Sequence, residues 1–585
     1  MKLLRKLDLN LILLFLLTIF AFAPLTYPGF FQSHSGFLPI YNLYDLEIHL
    51  GDFSWTPTVG RGYDFLRGEG VLPYYVAELF RWLGASGAEA IRWSYGLSFV
   101  LSAWAMYGWA KRLWGGRAAL IAAVVYTYLP YHLAVVYVQG ALAEAWTFVG
   151  FPLVFWALHN LVLGAKRSQP PSRGRPTQEQ SLLTQHPRLR RPRGRGLGAF
   201  KQAATLALLC VALLLTHVGL TLCLVLLAVA WVLVRRPGRA SERKARWPLL
   251  ALAAGLVLGF LALVPTIVKH GFSLVLPVDF YQHFVYPFQL FSAAWGYGAS
   301  VEGWQDTMPL QLGLVPVGLT IVSVILIARS PISNLQSPSS IRLRRTLLFW
   351  QLATLVLVAL TLSLTALLWR ISGLSNLLSY PWQLLSLIGL TTSLLAGSIV
   401  ALDQRLAAFP LRAGLVALAV LASYSYLSSR FFDFSIDFTP LAERSHVYDM
   451  EPVGLPVAIL GDNQVALLDY RIEGPLRHGA TVRLNVLWQA LRPLDEDYAV
   501  FVHAVDGEGA IWGQRDTEPQ EGEVPTTEWG LGEIVQDRYE LQIDVAGPRE
   551  GYQMVVGMYA SETGERLKLP DGMTEVTLRE RRQEN

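Results

Sequence analysis

At 585 residues, with 53% hydrophobic and only 16% charged side chains, the chain is too long for one ordinary domain and too apolar for a typical soluble protein. Its net charge of +4 is small and follows the loops, so no nucleic-acid footprint is needed to explain it and no nucleic acid is expected as a partner. Cys210 and Cys223 both fall in apolar runs, which excludes a disulfide framework, a CxxC redox pair and a Cys/His zinc site.

Apolar runs long enough to cross a bilayer of roughly 30 Å recur about eleven times. They lie near 9–27, 91–110, 118–137, 143–163, 201–216, 218–235, 247–266, 309–328, 347–368, 379–401 and 411–428. The first follows MKLLRK, but AFAPLTYPGF is a poor cleavage site, so a retained helix is expected rather than a secretory signal. Basic connections alternate with less basic ones along the chain. KRLWGGR (111–117), the 164–201 linker with its RLRRPRGRG, RRPGRASERKAR (235–246), IRLRR (341–345) and DQR (403–405) with Arg412 fall on one side. The connections 28–90, 138–142, 267–308 and 369–378 fall on the other. Basic loops are held in the cytoplasm. The pattern therefore predicts a multi-pass protein of the plasma (inner) membrane with a cytoplasmic N-terminus and residues 429–585 outside. The Pro/Arg/Ser/Gln-rich stretch 166–200 cannot bury a core and is expected to be a disordered cytoplasmic linker.

After residue 429 the composition turns charged and turn-punctuated. TVRLNVLWQA (481–490), DYAVFVHAVD (497–506), DRYELQIDVA (537–546) and YQMVVGMYAS (552–561) predict strands, and Tyr539, Leu541, Ile543 and Val545 alternate with polar residues in the third. PLRHGA, DGEGA, AGPREG and SETGE supply turns. The expected organisation is a transmembrane domain over 1–428, a connector over 429–460 and an extracytoplasmic β-sandwich over 461–585. Trp512 and Trp529 are its candidate exposed aromatics, suited to stacking on sugar rings, while Trp488 suits the space between sheets.

The first outer loop, 28–90, gathers Asp45, Glu47, His49, Asp52, Asp64, Glu69 and Glu78 among aromatics. At helical spacing Asp45, His49 and Asp52 share a face and Glu47 points elsewhere. In extended geometry Asp45, Glu47 and His49 share a side instead, and the sequence leaves both open. Two carboxylates beside an imidazole suit either a divalent cation such as magnesium or manganese, held by Asp45 and Glu47, or a general base that removes a proton from an acceptor hydroxyl. They equally suit an interfacial loop whose charges face water.

A long first outer loop with an acidic pair just after the first span, many further spans and a soluble outer C-terminal domain resembles the C-type membrane glycosyltransferases. Those enzymes take sugar from a polyprenyl-phosphate donor. More closely, the chain resembles a bacterial group described as 6-pyruvoyl-tetrahydropterin synthase-related membrane proteins. The resemblance rests on YDLEIHL (44–50), RLWGGRAALIAAVVYTYLPYHLAVVYVQGALAEAW (112–146), FPLVFWAL (151–158), WGYGASVEGWQDTMPLQLG (295–313) and YPWQLL (380–385), in that order along residues 1–428. Pterin-synthase chemistry is not expected, because the zinc-binding histidine set of those soluble enzymes cannot be assembled from this sequence.

The resemblance implies a mainly α, polytopic fold of the C-type glycosyltransferase kind, with a lipid-borne sugar donor and a glycan, lipid or protein acceptor of the cell envelope. It implies catalytic carboxylates at Asp45 and Glu47, with His49 beside them. Glu144, at the outer start of a span, is placed to orient an acceptor or a basic residue near the donor phosphate, or simply to favour a helix N-terminus. Lys269 and His283 suit contact with a lipid phosphate, with Asp279 and Asp306 nearby in the chain, although Lys269 also suits anchoring a helix end. Arg370 and Trp382 flank the YPWQ turn. The chain departs from the group at Gln139 and Gln383, where arginine is usual, and glutamine cannot replace a guanidinium's charge-assisted fork. Arg370, Lys269 and Arg92 are the candidates to compensate. The departures favour a rival reading, a non-catalytic scaffold or lipid-glycan binding protein. A transporter ranks below both, since the spans hold few ionisable residues beyond Arg92 and His217, and His217 suits a helix-helix hydrogen bond.

Overall fold

The computed structural model describes residues 8–27, 30–31, 33–35, 38–48, 70–164, 195–235, 242–270, 280–297, 300–329, 338–429, 431–432, 450, 456–461, 463–492, 494–530, 532–569 and 572–578. The acidic stretch from His49 through Glu69, the linker core 165–194 and Asp279 lie outside them.

Helix α1 (Leu9–Phe22) opens on Asp8, whose side chain accepts from the Asn10 amide and also meets Lys111 and the Tyr107 hydroxyl. A two-residue strand β1 (Phe30–Phe31) follows, then α2 (Leu38–Ile48) and α3 (Leu72–Trp82). Helix α4 (Gly87–Trp114) starts at a reciprocal cap, in which Glu89 N donates to Ser86 Oγ and Ser86 N donates back to the Glu89 carboxylate.

The run predicted at 118–137 is interrupted. Helix α5 (Gly116–Thr127) ends before Leu129, which is extended, and α6 (Pro130–Ala134) restarts the chain with a bend of 43°. Proline lacks an N–H and fits a first helical turn, which is why the restart falls on Pro130. A wide helical turn at Val135–Gln139 then closes on Gly140 in the left-handed region.

The chain continues through α7 (Leu142–Gly164), α8 (Arg195–Leu214), α9 (Val218–Val234), α10 (Glu242–His270), α11 (Leu314–Arg329), α12 (Pro338–Thr361), the short α13 (Ala366–Ser372), α14 (Leu385–Leu402) and α15 (Phe409–Leu421). A helix thus lies on each predicted apolar run. Among the described residues, five helices are long and apolar enough to cross a membrane, six if the bent pair counts as one span, and four shorter helices are apolar.

Leu250, Val257, Leu258 and Leu261 of α10 and Leu352 and Leu355 of α12 are each more than half exposed. A surface so apolar is unsuited to water, and these helices face lipid. The bundle is built around α14, in which every residue from Leu385 to Val400 is buried. A helix covered on every side belongs at the centre, and its Thr391, Thr392 and Ser398 hydroxyls are satisfied by carbonyls one turn back. Gly397 lets it approach α5 closely, since a Cβ there would lie 2.6 Å from that of Ala122.

The C-terminal region is all β. Strands β3 (Ala458–Leu460), β4 (Val465–Glu473), β5 (Thr481–Ala490) and β8 (Ile534–Gln542) form one antiparallel sheet in the order 3-4-5-8. Strands β6 (Tyr498–Val505), β7 (Ile511–Thr517), β9 (Gln553–Ala560) and β10 (Val576–Leu578) form another in the order 10-9-6-7. Leu467, Val486 and Trp488 of the first share one core with Val500, Val502, Met554 and Met558 of the second. Trp529, expected to be exposed, is 3% exposed and donates from Nε1 to the Val524 carbonyl. Trp512 is half-buried and donates to Asp506. Val545, placed on the inward face by alternation, is 71% exposed because β8 ends at Gln542.

The two regions touch. The strand β2 (Phe431–Phe432) pairs antiparallel with β1, and Asn463, at the turn before β4, donates from Nδ2 to the Ser33 carbonyl at 3.0 Å.

Candidate functional site

The start of the first loop is stitched to the turn at Gly140. His34 N donates to the Val138 carbonyl and Ser35 N to that of Gln139, while Ser35 Oγ also reaches Gln139 O at 2.9 Å. Tyr95 donates its hydroxyl to Gly140 O. Gly140 is required here twice over: its φ is +65°, and a Cβ would lie 2.2 Å from Ser33 Oγ. Three residues beyond Ser35, α2 begins, burying Ile40, Asn42, Leu43 and Leu46, with Asn42 donating to the Tyr74 hydroxyl of α3 at 2.9 Å.

Asp45 and Glu47 therefore stand on a helix, which removes the extended alternative for this stretch. A helix carries positions two apart about 200° apart around its axis, so they do not form an i, i+2 pair on one side. Their side chains and His49 lie outside the described residues. Among the described residues, no three His, Cys, Asp or Glu side chains gather to hold a metal ion.

Glu144 is the carboxylate this region buries. It is 3% exposed in the first turn of α7. Its Oε1 accepts from Tyr131 OH at 3.0 Å and stands 2.9 Å from Ser386 Oγ, which also lies 2.6 Å from the Gln383 carbonyl. No donor reaches its Oε2 among the described residues. No cation pairs with it among them either; Gln139, 5% exposed, lies beside Tyr131. Gln139 and Gln383, read from the sequence as departures, thus lie beside the two hydroxyl residues that reach Glu144, Tyr131 and Ser386.

Gln383 is held by its own turn, its Oε1 accepting from Tyr380 N at 3.2 Å, and its Nε2 faces His217 Nε2 at 3.4 Å. His217 in turn caps α9, accepting at Nδ1 from Leu220 N. Leu72 N donates to the Leu215 carbonyl, and a Cβ on Gly219 would strike Leu377 O at 1.9 Å. These contacts bring residues 33–48, 70–72, 138–144, 215–220 and 377–386 to one end of the bundle.

The same end carries an aromatic ledge. Tyr380 and Trp382 stack at 4.7 Å, and His283 meets Tyr380 edge-on at 5.0 Å. His283 Nδ1 lies 3.0 Å from Ser300 Oγ, which donates to Asp306 Oδ2 at 2.6 Å. Burial raises the Asp306 carboxyl above the usual aspartate range, opposed by the hydrogen bonds from the Ser300 hydroxyl and the Met308 N–H and by His283. Trp382 Nε1 is buried without a partner. Glu144, His283 and Trp382 are therefore brought together through the 380–386 segment. Lys269 lies in the last turn of α10, its side chain outside the described residues, and Arg370 is exposed on α13 without an ion pair among them. Tyr131, Ser386 and Ser300 carry no signal in the sequence that singles them out.

No protein-family model matches the chain, and no curated protein matches it. Among solved structures it is similar to the arabinofuranosyltransferase AftD from Mycobacteria, at 16% identity and a TM-score of 0.41, over 72% of this chain and 26% of that one. It is similar to ArnT from Cupriavidus metallidurans bound to undecaprenyl phosphate, at 14% identity and a TM-score of 0.37, over 66% of this chain and 60% of that one. It is also similar to the oligosaccharyltransferase of Archaeoglobus fulgidus, at 13% identity and a TM-score of 0.41, over 77% and 62% respectively. The chain thus spans less than two thirds of each of these proteins. The chemistry of the site rests on its own residues.

Proposed function

We propose that the chain is a membrane glycosyltransferase-like protein that moves a sugar from a polyprenyl-phosphate donor to an acceptor on the extracytoplasmic side. The observation that carries this reading is Glu144: a carboxylate buried at the mouth of a lipid-facing bundle, one oxygen held by two hydroxyls and the other left without a donor among the described residues. A buried acceptor of that kind suits a substrate hydroxyl. The adjoining His283 and Tyr380, both partly exposed and backed by the buried Trp382, offer aromatic surface for a sugar.

In this reading α2 brings Asp45 to the same end as the base that removes the acceptor's proton, and Glu47 and His49 tune or bridge it. A divalent cation would draw on Asp45, since Glu47 stands two positions further round α2 and off its side. Lys269, His283 and Arg370 neutralise the donor phosphate as its bond to the sugar breaks. The lipid donor enters between helices, the two sheets form an appended β-sandwich, and the chain is kin to the 6-pyruvoyl-tetrahydropterin synthase-related membrane proteins.

A second reading has its own observation. Gln139 and Gln383 leave the surroundings of Glu144 neutral among the described residues, which suits a lipid-glycan binding protein that keeps the architecture without the chemistry. One experiment separates the two. Purified protein in sealed vesicles is offered a panel of labelled polyprenyl-phosphate sugars. Transfer by the native protein and its loss in Asp45→Asn is expected. Tight donor binding with no transfer across the panel establishes the scaffold instead.

A further inference from the structure

At the opposite end of the bundle, α4, α7, α9 and α12 gather positive groups and N–H donors that have no acceptor. His159 lies on α7 at the far end from Glu144, a helical rise of about 22 Å. It is 5% exposed, and its Nε2 has no hydrogen-bond partner. Arg235 and Arg112 lie within electrostatic reach of it.

Arg235 follows the last turn of α9. Its Nη2 donates to Thr346 Oγ1 at 2.6 Å, and its guanidinium sits 4.3 Å from the Trp231 ring centroid, with Arg342 of α12 nearby. Trp231 meets Trp350 at 5.0 Å, and Trp350 meets Trp109 at 5.3 Å, so one aromatic cluster ties all these helices together through Phe155 of α7. The nearby carboxylate, Asp8, is already engaged by Lys111, Tyr107 and Asn10. Among the described residues, no carboxylate pairs with Arg112, Arg235 or His159. Trp350 Nε1 and Gln351 Nε2 are also buried without an acceptor.

A buried imidazole nitrogen without a partner, set beside the half-buried Arg235 and the exposed Arg112, suits an anion that enters from the surface. The position of the cluster indicates where the anion comes from. On α12 the side opposite Trp350 carries Leu348, Leu352 and Leu355, exposed by 46%, 62% and 67%, so the helix stands at the lipid boundary. A lipid lying along this outer face brings its headgroup to the end of the bundle where Arg112 is exposed and Arg235 is half-buried.

We propose that Arg112, Arg235 and His159 form a binding site for the phosphate of an anionic membrane lipid, separate from the Glu144 site and on the other side of the bilayer. The site does not depend on the transferase reading.

The test is lipid retention by the full chain in detergent, followed by native mass spectrometry during titration with phosphatidylglycerol or phosphatidylcholine. The native protein is expected to retain phosphatidylglycerol preferentially. Arg112→Gln, at an exposed position where folding is not at risk, should weaken that preference about fivefold, and Arg235→Gln by at least as much. Arg235→Lys, which keeps the charge but not the planar fork, should fall between. A parallel titration with inorganic phosphate identifies the source. Displacement of bound lipid by phosphate confirms a shared phosphate site, and phosphate binding without lipid retention assigns the site to a soluble anion. Equal retention of both lipids by native and Arg112→Gln proteins, with no phosphate binding, overturns the proposal. No sugar transfer enters the readout, so its failure is distinct from failure of the transferase reading.

Discussion

Ser386 and Glu144 meet at 2.9 Å across 242 residues of sequence. The contact ties the first turn of α7 to the start of the central helix α14, so the carboxylate and the aromatic ledge are linked through a buried hydroxyl. Glu144 is thereby held by neutral groups, in surroundings where its charge has nothing of opposite sign to answer it among the described residues.

Replacement of Glu144 separates its charge from its acceptor role. Glu144→Gln keeps an oxygen for Tyr131 and Ser386 and is expected to melt near the native temperature while losing transfer or donor binding. Glu144→Ala strands a fully buried tyrosine hydroxyl and is expected to cost about 1–3 kcal/mol of stability. Thermal unfolding in detergent beside a transfer assay reads both. Equal transfer by native and Glu144→Gln proteins removes Glu144 from the site.

Gln139→Arg restores a cation beside the buried carboxylate. If the neutral surroundings limit donor binding, the variant should bind a polyprenyl-phosphate sugar about tenfold more tightly, the scale of one charge-assisted hydrogen bond. Fluorescence titration with the lipid measures this. A weaker or unchanged affinity shows that an arginine here answers only to Glu144.

Asn463 has a φ of +55°, so alanine would add backbone strain to the loss of its amide. Asn463→Gly avoids that and removes only the hydrogen bond to Ser33. The expected result is faster hydrogen exchange at residues 33–35 with unchanged protection of β4 and β5. Equal exchange in both proteins shows that the contact does not hold the loop.

Burial raises the Asp537 carboxyl above its ordinary value of 3.8, although Tyr539 and the amides of Gln520 and Arg538 donate to it. The folded state thus holds that proton more tightly than the unfolded chain does. The resulting stabilisation is complete below the unfolded value and is lost as pH rises through the higher folded one. At neutral pH Asp537→Asn is therefore expected to unfold at higher denaturant than the native protein, with the gap closing toward pH 4. Tryptophan fluorescence follows the transition, and a gap that does not change with pH rules out this carboxyl as its source.

Every predicted apolar run carries a helix because twenty apolar residues in lipid have few other ways to satisfy their backbone. The break before His132 divides the run read as 118–137, and Pro130 at the restart is its cause. Among the strands, β5 coincides with TVRLNVLWQA, whereas β4 and β7 leave no clear pattern in the sequence. The first five residues of β4 are all buried, because Met450 and Leu487 cover Ala466 and Leu468 on its second face, so the strand does not alternate. Strand β7 lies at a sheet edge and is largely polar. At the site, Glu144 is legible from its place at a helix start. Tyr131 and Ser386 are not, because a hydroxyl carries no local pattern and its partner lies far along the chain. Trp529 misleads for the opposite reason: aromatic type alone does not tell a core residue from a surface one.

The ladder of Phe30–Phe31 with Phe431–Phe432 makes neighbours of two points that enclose nearly the whole helical region. The intervening chain is thus a closed circuit, pinned where it starts and where it ends, and the portion beyond position 432 hangs from that clasp. Asn463 returns to Ser33 close to that clasp, so the strand-rich tail is moored at two places to the same short segment, and unfastening the segment would loosen both.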